Sequence, residues 1–295
     1  MVVFLTAMGS GVSYALWSTS ASTSAQVKAA TVAMTVDGTA ATSALSVPHK
    51  PNESYTSAVT VTNSGTAAFT YKVAVAPTGG TLAHSSVTIA LWKSASSCTS
   101  ASTVPADAWT GTLAALAAHG SEPMAVSGSQ LLCVRTTLAV DITSAQQGQT
   151  ASANLVFTAA NGWTSSKSVA ISPSAYTVPN PVLLGGQAGC KDTTSQKSVA
   201  LGWQPVSGAS EYRVYFTPAA LPPKPAYMLV TIAEAASPVS VSGESFDTVT
   251  GSSQGSGSVS IRAVVNGWES SGLVVPIYFA PNSTGSNTKI SCARF

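Results

Sequence analysis

From Val27 onward, aliphatic residues alternate with serine, threonine and alanine in short runs, and a turn residue interrupts the pattern roughly every 8 to 15 positions. A period of two places the aliphatic side chains on one face of a strand and the polar ones on the other. VKAATVAMTVDG aligns Val32, Met34 and Val36 and stops at Asp37-Gly38. SYTSAVTVTNSGTAAFTYKVAVAP aligns Val59 and Val61, turns at Asn63-Ser64-Gly65 and returns with Phe69, Tyr71, Val73 and Val75. SSVTIALWKS sets Val87, Ile89 and Leu91 against Trp92 on the opposite face. QLLCVRTTLAVDI sets Leu132, Val134, Leu138 and Val140 against Cys133. ANLVFTAANGWTSSKSVAIS reads as a closing hairpin whose Asn161-Gly162 suits a type I′ turn. One apolar and one polar face per strand predicts antiparallel sheets, each with a wet side.

After Ile171 the pattern changes. Pro173, Pro179 and Pro181 remove backbone donors and stiffen the chain toward polyproline II, so residues 172–189 read as a connection running into a first strand. Alternation then resumes: Val199, Leu201 and Trp203 are answered by Tyr212, Val214 and Phe216. Val259, Ile261, Ala263 and Val265 meet Leu273, Val275 and Ile277 across Asn266-Gly267. The expected fold class is all-β, two consecutive antiparallel β-sandwiches over residues 16–171 and 190–295, the second with a C-terminal tail.

Composition supports folded chain over disorder, because the hydrophobic fraction is 45%. Charged residues are only 8% and the net charge is +2, so neither nucleic acid nor an acidic membrane surface is implied as a partner. No cofactor is expected. Residues 1–15 carry an apolar stretch and end in small residues at Ser13 and Ala15, the pattern of an export signal cleaved after Ala15, although basic residues are missing from its start. Gly9, Ser10, Gly11 and Ser13 interrupt a stretch that would need about 20 apolar residues to span a membrane.

The cysteines agree with export. Of three possible connectivities the simplest joins Cys98 to Cys133 and Cys190 to Cys292, one bridge in each half. In the chain-entropy model the first stabilises by about 4 kcal/mol and the second by nearly 5. No zinc spacing is present, and His49, His84 and His119 read as scattered surface-loop residues. No serine lies in a nucleophile elbow, and the carboxylates are spread singly, so no catalytic residue is singled out. Trp92, Trp109, Trp163 and Trp268 are candidate surface aromatics for stacking on sugar rings. Trp163 and Trp268 each follow Asn-Gly, where a tryptophan more often caps the open end of a core.

Two family resemblances add to this reading. VALGWQPVSGASEYRVYF and VSIRAVVNGWESSG resemble fibronectin type III strands, with Trp203 as the core tryptophan and Ile261 where that family usually has a tyrosine. SYALWSTSASTSAQVKAATVAMTVDG, SYTSAVTVTNSGTAAFTYKV and GSQLLCVRTTLA are similar to camelysin/TasA-like exported surface proteins of bacteria. That resemblance implies a secreted, biofilm-matrix or cell-surface structural protein whose mature N-terminus donates a strand to the next subunit. Leu16, Trp17 and Val27 would lie in the donor segment, with residues 18–30 supplying main-chain pairing. Partners would be further copies of the chain or other extracellular matrix components. The other readings are a monomeric carbohydrate- or surface-binding module, a plain spacer, and a camelysin-like metallopeptidase.

Overall fold

The computed structural model describes residues 30–185, 189–192, 198–219, 226–233, 239–242, 255–280 and 289–292. The first unit opens with β1 (Met34–Asp37), α1 (Thr39–Leu45), β2 (Pro48–His49), β3 (Ser54–Asn63) and β4 (Phe69–Gly80). β5 (Val87–Ser94), β6 (Trp109–Thr112), β7 (Glu122–Met124) and β8 (Ser129–Leu138) follow. β9 (Ala151–Asn161), β10 (Trp163–Ile171) and β11 (Ser174–Ala175) complete it. The strands form one sheet in the order β1-β3-β8-β5-β6 and another in the order β10-β9-β4-β7. Their aliphatic faces meet in a core that includes Val59, Val61, Ile89, Leu91, Leu132 and Val134 from one sheet and Tyr71, Leu155 and Phe157 from the other. The all-β expectation holds, and the alternation read from the sequence is the alternation of burial.

Four local expectations change. The turn at Asn63-Ser64-Gly65 does not make a hairpin, because β3 and β4 lie in different sheets. Asn63 holds this crossing: its Nδ2 donates to Ala67 O and Ala125 O while its Oδ1 accepts from the Gly65 amide. After Asp37-Gly38 the chain enters α1, which buries Ala41 and Leu45, one turn apart. Val140 leaves its strand's face and is 76% exposed, since β8 ends at Leu138. At Asn161-Gly162 only the glycine has positive φ, so that turn is not type I′, whereas Asn266 and Gly267 both do.

Part of the proline-bearing connection belongs to the first unit. β11 pairs in parallel with β2, and the Tyr176 amide donates to His49 O. His49 is therefore not a surface-loop residue but fully buried. Its Nδ1 lies 2.7 Å from the Val47 carbonyl, which can only accept, so this nitrogen carries the proton and Nε2 accepts from the Thr136 hydroxyl at 3.0 Å.

The second unit contains β12 (Val182–Leu183), β13 (Cys190–Asp192), β14 (Ser198–Leu201), β15 (Trp203–Gln204) and β16 (Glu211–Pro218). β17 (Tyr227–Ala233), β18 (Val239–Ser242), β19 (Gly255–Val265), β20 (Trp268–Glu269), β21 (Leu273–Ala280) and β22 (Lys289–Cys292) follow. The largest sheet runs β17-β16-β19-β21-β22, with β20 folded back on β19, and β13-β14-β18 makes another. Val199, Leu201 and Trp203 are buried with Tyr212, Val214, Phe216, Val259 and Ile261. Tyr212 also accepts the Val206 amide on its phenol oxygen at 2.6 Å, tying the loop ahead of β16 to its strand.

The two units touch through side chains. Trp268 Nε1 donates to Ile142 O, and Gln147 bridges, donating to Glu269 O while accepting from the Val178 amide. Asn180 Oδ1 accepts from Ser271 Oγ and the Gly272 amide. Each such bond contributes about 1 kcal/mol net, while burying a large apolar side chain contributes on the order of 2–3 kcal/mol. Trp268, only 5% exposed, is therefore the main anchor.

Burial lowers the pKa of His49 below the ordinary 6.5, against smaller opposing effects of the Val47 carbonyl and Glu53. An unfolded chain takes up a proton at this residue near 6.5 while the folded one does not. Its contribution to stability is thus fully present above about pH 6.5 and is lost as pH falls from there through the folded value. Urea midpoints measured from about pH 8 down to about pH 5 are expected to fall less steeply for His49→Gln than for the parent. Parallel profiles would show that His49 is not the group responsible.

Candidate functional site

Leu16, Trp17 and Val27 lie outside the described residues. The structure instead defines what such a segment would meet. The described chain starts beside the β3–β4 crossing, where Thr31 O accepts from the Thr66 and Ala67 amides and the Thr31 amide donates to Thr66 Oγ1. The β9–β10 turn reaches the same place, as Asn161 Nδ2 donates to Ala68 O. Among the described residues, four strands end the two main sheets of the first unit: β1 and β6 with four residues each, β7 with three and β10 with nine. β10 is the longest of these edges. Residues 163–168 of it are largely exposed, whereas Val169 and Ile171 pack under the α1 side. A groove of about 540 Å³ at this end is lined by Phe69, Pro123, Met124, Ala160 and Asn161, among others.

The four candidate tryptophans do not form one surface. Trp268 is buried at the junction between the units, a correction to its reading as a surface contact. It meets the first unit at Ile142, a contact for which the NGW triplet holds no signal. Trp163, after the equivalent dipeptide, is 74% exposed, so it does not cap its core. Trp92 is also buried, 7% exposed, although it lies on the outer face of its sheet opposite Cys133. Trp109 is half-buried and stacks on His119, with ring centroids 4.2 Å apart and planes 10° from parallel.

Trp92 is covered because the segment 95–108 folds over the outer face of β5 and β8. Cys98 reaches Cys133 on β8 in a disulfide, and Cys190 joins Cys292 in the second unit. Arg135, two residues along β8 and so on the same face, fastens the segment again: Nη2 donates to Ser100 O and Ser102 O, and Nε donates to Thr56 Oγ1 on β3. The guanidinium also lies 5.5 Å from the Trp92 ring centroid. A charge on the outer face of β8, in step with Cys133, was the sequence signal for this role, and sequence reasoning passed over it.

The fastened segment brings Pro105 and Asp107 beside Trp92, Lys93, Trp109 and Glu122 around a cavity of about 190 Å³. Lys93 Nζ lies 2.8 Å from Glu122 Oε2, joining the two sheets at their open side. His119 is held behind Trp109, with Nε2 2.8 Å from Val73 O and Nδ1 2.7 Å from Gly120 O. His84 Nε2 faces Ser152 O. The three histidines are thus engaged separately, and among the described residues no three His, Cys, Asp or Glu side chains are placed to share a metal ion.

A second cleft, about 460 Å³, lies between the units and is lined by Gln147, Thr177, Asn180, Arg262, Glu269 and Ser271, among others. Its charges satisfy one another. Glu269 Oε1 accepts from Arg213 Nη1 and the Tyr215 hydroxyl, and Oε2 from Arg262 Nη1. Burial alone would raise the Glu269 pKa, but these hydrogen bonds outweigh it and hold the carboxyl below 4.5. Arg213 also pairs with Glu211 at 2.7 Å, so the cluster carries no net charge to attract an ionic ligand.

No protein-family model matches the chain, and no curated protein does. Among solved structures it is similar to a sporulation control protein from Bacillus subtilis, at 12% identity and a TM-score of 0.26, over 86% of this chain and 91% of that one. It is also similar to a Ca2+-stabilized adhesin with which an Antarctic bacterium binds ice, at 14% identity and a TM-score of 0.22, over 90% of this chain and 49% of that one. Among the described residues no helix is long and apolar enough to cross a membrane.

Replacing the bridge by Cys98→Ser together with Cys133→Ala is expected to lower stability by up to about 4 kcal/mol and to speed amide exchange across residues 95–108 more than in β3 or β4. Equal exchange before and after would mean that the Arg135 bonds alone hold the segment.

Proposed function

We propose that the protein is an exported, extracellular structural or adhesive protein that associates with further copies of itself. The segment 16–29 of one molecule adds as a strand to the free edge of β10 in the next. The observation that carries this reading is the outer edge of β10, a nine-residue strand that, among the described residues, pairs on one side only, with β9, and is largely exposed over residues 163–168. An unpaired edge of that length offers main-chain N–H and C=O groups that an extended segment can satisfy. Residues 16–29 contain neither proline nor glycine and are rich in small and β-tolerant side chains. Leu16 and Trp17 are suited to the groove beside Phe69 and Met124, which adjoins the β9–β10 turn. The resemblance to TasA-like exported proteins points the same way, and the two disulfides suit an oxidising compartment.

The mature chain starting at Leu16 is expected to form oligomers or filaments in sedimentation and negative-stain imaging. A chain lacking residues 16–26 is expected to remain monomeric with unchanged thermal unfolding. Lys167→Pro, on the open part of β10, is expected to reduce assembly with the donor segment intact. Assembly that survives the deletion would sink the reading, as would a full mature chain that stays monomeric at high concentration.

A further inference from the structure

The cavity between β5, β6 and β7 has features that strand addition does not use. Its volume, about 190 Å³, is below that of sites for drug-sized molecules and suits a ligand of about one ring. Two indoles line it, and both are immobilised from outside. Trp109 is backed by the parallel His119 ring, and Trp92 is pinned under Arg135 beside the Cys98–Cys133 bridge. Fixed aromatic surfaces lose little conformational freedom when a ligand arrives. The Asp107 carboxylate, on the fastened segment, has no partner among the described residues. Lys93 Nζ is engaged by one carboxylate oxygen only, so two of its three protons remain to be donated, and its side chain is 46% exposed.

Charge narrows the ligand class. Lys93 opposes a cation such as a quaternary ammonium, and Asp107 with Glu122 opposes an anion. What suits aromatic surface, a free acceptor and a free donor together is a neutral ring carrying hydroxyl groups. Its C–H face lies against an indole, one hydroxyl donates to Asp107, and another accepts from Lys93.

We propose that the cavity lined by Trp92, Lys93, Asp107, Trp109 and Glu122 is a binding site for one neutral pyranose residue, free or within a polysaccharide. The site is independent of strand addition, because it lies on β5, β6 and β7 and uses neither β10 nor residues 16–29. In an extracellular assembly, each copy would present one sugar-binding point.

The test uses the mature chain and a variant lacking residues 16–26. Both are titrated with the methyl glycosides of glucose, galactose, mannose and N-acetylglucosamine by saturation-transfer NMR and tryptophan fluorescence, with tetramethylammonium and acetate as charged probes. At least one glycoside is expected to saturate both proteins equally. Trp109→Ala and Asp107→Ala are each expected to weaken it roughly tenfold or more, equivalent to about 1.4 kcal/mol, and Trp163→Ala to leave it unchanged. Asp107 is exposed, so its variant tests the site even where Trp109→Ala disturbs packing. Failure of every glycoside to saturate would overturn the proposal, as would binding that survives both variants or depends on Trp163. Saturation by tetramethylammonium or acetate alone would replace it with an ionic site. Binding lost only on removing residues 16–26 would place the sugar at the assembly contact and not in this cavity.

Discussion

Every strand here has one apolar face, and a sheet built of such strands can bury only that face. In the first unit the rule is met by closing β1-β3-β8-β5-β6 against β10-β9-β4-β7. Wherever an apolar group falls on the other face, a separate cover has to be found. Trp92 and Cys133 are those groups, paired on the outer side of β5 and β8. The cover is the segment 95–108, and its length without regular secondary structure would make it costly to order on entropy alone. A covalent bridge and two hydrogen bonds from Arg135 to Ser100 O and Ser102 O offset that cost. The same fastening brings Asp107 against the edge of the sandwich, so the cavity beside Trp92 and Trp109 follows from covering one tryptophan.

Edges are the other consequence of a sandwich that does not close. β1, β6 and β7 are kept to three or four residues, short enough to offer little to another chain. β10 departs from this economy. Its serines and Lys167 project above and below the sheet, where they keep the surface polar, and among the described residues no strand pairs with its outer edge. Polar side chains with a free backbone edge suit pairing governed by main-chain hydrogen bonds, with little hydrophobic drive toward indiscriminate aggregation. The cavity proposed for a sugar lies among strands other than β10, so the two proposed functions would not compete for surface.

Much of this was legible in the sequence, because alternation is a local property and burial follows it. Val199, Leu201, Trp203, Tyr212, Val214 and Phe216 are all inward as their spacing implied. Features set by distant chain were not legible. The turn after Asn63 reads like a hairpin, yet the choice of sheet depends on what β8 and β9 bond to. The helix α1 has only two buried residues, too few for a periodic signal. His49 looked like a loop residue until β11 closed over β2. In the candidate site the tryptophans could be named but not sorted, since their placement depended on Arg135 for Trp92 and on contact with the first unit for Trp268.

The junction at Trp268 links these parts mechanically. A proline-bearing connection alone would leave the second unit free to swing, as semi-rigid linkers hold distance better than angle. Here the connection is fixed at both ends, Val178 to Gln147 and Asn180 to Ser271 and Gly272. The indole adds apolar burial, and the neutral Glu211–Arg213–Glu269–Arg262 cluster beside it avoids the cost of an unpaired charge at the interface. A joint fixed by side chains from both units transmits load from one to the other without relying on the flexible backbone between them. Within the second unit the Cys190–Cys292 bridge closes 102 residues of sequence separation with one bond. Each unit thus has a covalent tie and the joint between them a packed one.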